Sequence, residues 1–74
     1  MSDQNDALTI GRRIKSARKA CKLRQSDVAQ AVGVHMQTIS KWERGLLTPD
    51  ARELKALCGV LGCSADYLLG ITEG

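Results

Sequence analysis

The sequence predicts an all-α fold, a compact five-helix bundle, and three observations carry that prediction. Apolar residues recur at spacings of three and four, as one face of a helix requires, and no stretch reads as a convincing strand. There is no phenylalanine and only one tryptophan and one tyrosine, so the core must come from Leu, Ile, Val and Ala, which helices pack readily. Glycine stops and polar or acidic starts then cut the 74 residues into short segments. A chain of this length makes one domain with a single modest core.

Residues 1–6 are polar, have nothing to bury, and are expected to form a disordered tail ahead of a domain spanning residues 7–70. The first helix is expected from about Ala7 to Thr9, with Asp6 or Thr9 as cap, to about Cys21. Its buried stripe is Ile10, Ile14, Ala17 and Cys21. Net charge is a mild +3, yet Arg12, Arg13, Lys15, Arg18, Lys19, Lys22 and Arg24 follow one another with no acid between them. That run makes the first third a positive surface, although an ordinary solvated helix face accounts for it equally well.

Leu23 closes the first connection, and the second helix should run from Gln25 to Val32. Val28 and Val32 lie four apart, with small Ala29 where a second helix would cross closely. Gly33 can take the left-handed conformation that ends a helix, and apolar Val34 folds back beneath the pair. The third helix, about Met36 to Glu43, buries Ile39 and Trp42 and stops at Gly45. So short a turn forces a steep crossing, the helix-turn-helix arrangement, and leaves Met36, Gln37, Ser40 and Lys41 on one outward face.

For the fourth helix, roughly Asp50 to Leu61, either Thr48 caps with Pro49 at the first position or Asp50 caps with Glu53 three residues on. Its stripe is Leu54, Leu57, Cys58 and Leu61, and Gly62 ends it. Gly59 inside this helix costs about 1 kcal/mol relative to Ala, so a close approach by a neighbouring segment is expected there. Ser64 caps a last short helix whose Tyr67, Leu68 and Leu69 pack back, and residues 71–74 form a tail.

Two helix starts break the usual rule. Arg24 and His35 stand where Ser, Thr, Asp or Asn would stabilise a helix end by about 1 kcal/mol. A cation there also opposes the helix dipole, with Ser26 and Asp27 a partial offset, and the cost makes sense if Arg24 meets an anion from outside.

Several function classes fall away. Cys21, Cys58 and Cys63 form no CxxC pair, and with His35 they match no usual zinc spacing, so they are read as reduced and mostly buried. One histidine, no nucleophile-base cluster and no phosphate-cradling glycine loop leave nothing for catalysis; no enzyme activity, metal, cofactor or small-molecule ligand is expected. No run approaches a membrane span and the start lacks a signal-peptide pattern, so a cytoplasmic protein is expected.

The segment AQAVGVHMQTISKWERG, followed by TP, an L-x-x-L helix and SADYLLG, resembles the phage-repressor and Cro helix-turn-helix family, also called XRE-like. The resemblance runs from Ile10 to Gly70. It implies a lambda-repressor-like DNA-binding domain, with the third helix in the major groove and the second across the backbone. It further implies that Gln25 holds a phosphate, that Gln37 reads bases, that Arg44 meets the backbone, and that Arg18 and Glu43 form a partly buried ion pair. Departures stand at Arg24, where the family has Thr, at His35, where it has Ser or Thr, and at Leu46 and Leu47, where relatives carry basic residues.

On that face the Gln37 amide can pair with both N7 and N6 of adenine, a contact worth roughly 1–3 kcal/mol of discrimination. Lys41 reaches guanine or a phosphate, Met36 suits a thymine methyl or a core gap, and Ser40 and His35 complete the base-reading set. His35 is also expected to take up a proton beside a phosphate. Arg24, Gln25, Thr38, Arg44, Arg12 and Arg13 are the phosphate-contacting candidates, each cation adding close to one unit to the salt dependence. One domain touches few base pairs, so a homodimer on a palindromic operator is expected, half-sites about 34 Å apart. Leu46, Leu47, Tyr67, Leu69 and Ile71 are its apolar candidates. The expected function is a sequence-specific transcriptional regulator, a repressor; the alternative is an antitoxin-like protein-interaction module on the same fold.

Overall fold

A computed structural model describes residues 4–72, and side-chain environments from residue 6 onward. Five helices follow in order: α1 (Gln4–Ala20), α2 (Gln25–Val32), α3 (Met36–Glu43), α4 (Ala51–Leu61) and α5 (Ala65–Leu69). They enclose one core of Ile10, Ile14, Val28, Ala29, Val32, Ile39, Trp42, Leu57, Leu61 and Leu68. Every helix contributes to it, so none can be removed without opening the rest.

α2 and α3 have the expected bounds. Gly33 ends α2 at φ +88°, and its amide and that of Val34 both donate to the Ala29 carbonyl, at 2.8 and 3.0 Å. Two consecutive amides on one carbonyl end α2 and turn the chain sharply toward α3. α4 takes the second of its two expected starts. Asp50 accepts from the Glu53 amide at 2.8 Å while Glu53 accepts from the Asp50 amide at 2.9 Å, a closed capping box.

Several expectations are corrected. α1 begins at Gln4, so residues 4–6 are helical rather than a frayed tail; Met1 to Asp3 lie outside the described residues. Neither Asp6 nor Thr9 is a cap: Asp6 sits in the first turn, where a carboxylate favours the dipole. The turns that follow are docked, because the Leu8 side chain lies against Gly45 and that of Thr9 against Gly70. At the start of the expected carboxyl-terminal tail the Ile71 and Thr72 amides both donate to the Asp66 carbonyl, and residues 73–74 lie outside the described residues.

Gly59 has open space where its side chain would be, so no segment approaches it. The close approach occurs instead at Gly11, where a Cβ would overlap the Trp42 carbonyl oxygen and lie 2.8 Å from that of Glu43. α1 can therefore cross directly over the last carbonyls of α3. Cys21 is exposed rather than buried, one residue past the end of α1, and Leu69 is exposed while Leu68 carries the packing of α5.

Candidate nucleic-acid interface

The outward face of α3 follows from which of its residues the core takes. Ile39 and Trp42 are fully buried and fix the rotation of the helix. That rotation exposes Met36, Gln37, Lys41 and Arg44, with Thr38 and Ser40 half-buried at the edges of the face. Met36 is 50% exposed, which decides between its two readings: it is a surface side chain, not a core filler. The Arg44 guanidinium turns back to the Ser40 carbonyl at 3.4 Å, so it lies along the carboxyl end of α3.

Behind this face sits a network joining three helices. Arg18 of α1 meets Glu43 of α3 through Nε at 2.6 Å and Nη2 at 3.1 Å, and its Nη1 donates to the Leu23 carbonyl at 2.9 Å. The side chains are 11% and 4% exposed. The bidentate hydrogen bonds to Glu43 hold the Arg18 guanidinium more firmly protonated than usual. Gln25 at the start of α2 donates from Nε2 to Oε1 of the same carboxylate at 3.1 Å. One carboxylate thus ties the ends of α1, α2 and α3 together and sets the angle at which α3 is presented.

The two unusual helix starts keep their exposure. Neither the Arg24 nor the His35 side chain accepts a hydrogen bond from its helix. An arginine has no acceptor to offer, so only the reverse half of a capping box forms at α2. Asp27 accepts from the Arg24 backbone amide at 2.8 Å and from its guanidinium at 3.3 Å. Those hydrogen bonds, the backbone one first, hold the Asp27 carboxyl below its ordinary range, and the Arg24 guanidinium gains from the same partner. The Arg24 side chain remains 82% exposed. His35 is exposed immediately beside Met36 and Gln37.

The basic run divides. Arg12, Lys15, Lys19 and Lys22 are exposed, and the ion pairs among the described residues are Arg18–Glu43 and Arg24–Asp27. Arg13 is engaged within the chain. Its Nη1 donates to the carbonyls of Tyr67 and Thr72 at 3.0 and 2.6 Å, and its guanidinium lies 4.6 Å from the centre of the Tyr67 ring. It is a clamp on the carboxyl end of α5, seated over the Tyr67 ring. Leu46, Leu47, Leu69 and Ile71 are exposed, and Leu8, absent from the expectations, joins them beside Gly45. Both the Leu46 and the Ile71 ends of this apolar set therefore flank the first turns of α1.

A sequence model described as helix-turn-helix matches residues 14–68, from the second half of α1 into α5. The chain is 45% identical over 60 residues to the repressor protein C2 of Salmonella phage P22, covering 81% of this chain and 28% of that protein. It is 42% identical over 62 residues to the HTH-type transcriptional regulator DicA of Escherichia coli K12, covering 84% and 46%. It thus spans less than half the length of either relative. A crystal structure of the P22 c2 repressor in complex with a synthetic operator superposes with a TM-score of 0.78 at 45% identity, over 81% of this chain and 91% of that one. Among the described residues no helix is long and apolar enough to cross a membrane. The matched residues include the buried crossing, the Arg18–Glu43 pair and the whole outward face of α3: the chain belongs to the phage-repressor and Cro-type, XRE-like, helix-turn-helix family.

Proposed function

We propose that the chain is a sequence-specific double-stranded DNA-binding transcriptional regulator, a repressor that occupies a palindromic operator as a homodimer with α3 in the major groove. The observation that carries this reading is the sorting of α3 into a fully buried Ile39–Trp42 side and an exposed side with Gln37, Lys41 and Arg44. Such a helix offers a row of donors and acceptors at the spacing of base edges. In this reading Gln37 and its neighbours Met36, Ser40, Lys41 and His35 face the bases. Arg24, Arg44, Arg12 and Thr38 meet phosphates.

Gln25 has a double part. Its amide holds Glu43 in the free protein, and its position at the start of α2 puts the first α2 amides beside a phosphate. The dimer forms through Leu8, Leu46, Leu47, Leu69 and Ile71, exposed apolar residues outside the base-reading set.

Selection of bound sequences from random duplexes, with Gln37→Ala alongside, tests the reading. A palindromic consensus that relaxes at one position per half-site in the variant is the expected outcome. No enriched sequence with the wild type would overturn DNA reading and leave the protein-interaction module.

A further inference from the structure

Away from α2 and α3, a cleft of about 320 Å3 lies between the end of α1, the end of α4 and α5. Its walls include Ala17, Ala20, Leu61 and Tyr67, and two thiols, Cys21 and Cys63, open into it. We propose that Cys21 and Cys63 are a dithiol site that reacts with a low-molecular-weight disulfide and closes into an intramolecular Cys21–Cys63 bond.

The placement of the two sulfurs argues for it. Cys21 is exposed, and its Sγ donates to the Leu61 carbonyl at 3.4 Å, two residues before Cys63. Both cysteines sit just outside helices, beside the left-handed residues Lys22 (φ +60°) and Gly62 (φ +67°). Their side chains are therefore not fixed by a helix interior. Cys58 is different: it lies inside α4 and does not line the cleft. Among the described residues no three His, Cys, Asp or Glu are grouped to hold a metal ion, so the chemistry available is that of two sulfurs.

The reaction balances in two exchanges. The Cys21 thiolate attacks one sulfur of the small disulfide, whose S–S bond breaks, and one small thiolate leaves and takes up a proton. Cys63 then loses its proton to solvent and attacks Sγ of Cys21, expelling the second small thiolate. Two protein thiols are oxidised by two electrons and one small disulfide is reduced to two thiols. Burial, and then the neighbouring thiols of Cys58 and Cys21, push the Cys63 thiol up, so it is the slower partner and Cys21 the first to react.

Incubation of the intact chain with glutathione disulfide, followed by intact mass and peptide mapping, is the test. The expected product has lost two hydrogens, retains no glutathione and yields a Cys21–Cys63 peptide. Its closing step speeds up about tenfold per pH unit while the Cys63 thiol remains mostly protonated. Cys63→Ser should hold one glutathione on Cys21, and Cys58→Ser should give the same Cys21–Cys63 product as wild type. Glutathione retained on wild-type Cys21, no reaction, or a bond to Cys58 or to a second molecule overturns the proposal. No cleft residue belongs to α2 or α3, so this outcome is independent of DNA binding.

Discussion

The helix starts of the two halves of the molecule are built in opposite ways. α4 and α5 begin on acceptors: Asp50 takes the Glu53 amide, and Ser64 takes the Tyr67 amide at 3.1 Å. α2 and α3 begin on Arg24 and His35, whose side chains accept nothing from their helices; the Asp27 and Thr38 amides turn instead to the Arg24 and His35 backbone carbonyls, at 3.0 and 2.9 Å. A missing cap costs about 1 kcal/mol at each end, a large amount for a domain of this size. The half that only supports meets its first-turn amides with side-chain acceptors; the half proposed to meet DNA brings no side-chain acceptor to its own. Stability has been traded at the two helix ends where an anion would restore it.

The largest expected effect lies beneath that half. Glu43→Ala strands the Arg18 guanidinium and releases Gln25, and should lower stability by about 3–5 kcal/mol in a denaturant titration. An unchanged unfolding midpoint would mean the three-helix tie does not hold the crossing. Next, Gly11→Ala should cost about 1–3 kcal/mol, although alanine is the better helix former, because its methyl meets the Trp42 and Glu43 carbonyls. Gly59→Ala, in open space, should instead stabilise by about 1 kcal/mol; equal effects at the two glycines would refute the placement of α1 over α3.

Smaller changes address the caps directly. Asp50→Ala should cost about 1 kcal/mol and leave DNA affinity per folded molecule unchanged. Arg24→Ser should stabilise the chain by a similar amount while weakening DNA binding and lowering the salt slope by about one unit. A stabilised variant with full affinity would break the contrast between the halves. The smallest effect is in pH. Asp27 has its pKa lowered by folding, so its contribution is complete above the ordinary carboxylate value and is lost as pH falls below about 4. Asp27→Asn should flatten that acid limb in thermal melts.

Much of this was readable along the chain because it depends on local chemistry. The Gly33 turn, the Asp50–Glu53 box, the Ser64 cap and the bounds of α2 and α3 are each set within a few residues. What escaped depends on partners far away in sequence. Gly11 is meaningful only against α3 carbonyls some thirty residues on, and Arg13 only against the end of α5. The glycine expected to mark a close approach, Gly59, faces solvent instead; spacing reveals a glycine but not what passes over it. α1 begins early because Leu8 and Thr9 dock on Gly45 and Gly70, and no cap announces that.

The most direct measurement is the amide spectrum of the protein labelled with nitrogen-15, titrated with its selected duplex. The largest shifts are predicted for Gln25 to Asp27 and Met36 to Thr38, the uncapped starts, with Ala51 to Glu53 and Ala65 to Tyr67 unmoved. Shifts concentrated at the starts of α4 and α5, with those of α2 and α3 silent, would contradict DNA reading by α3.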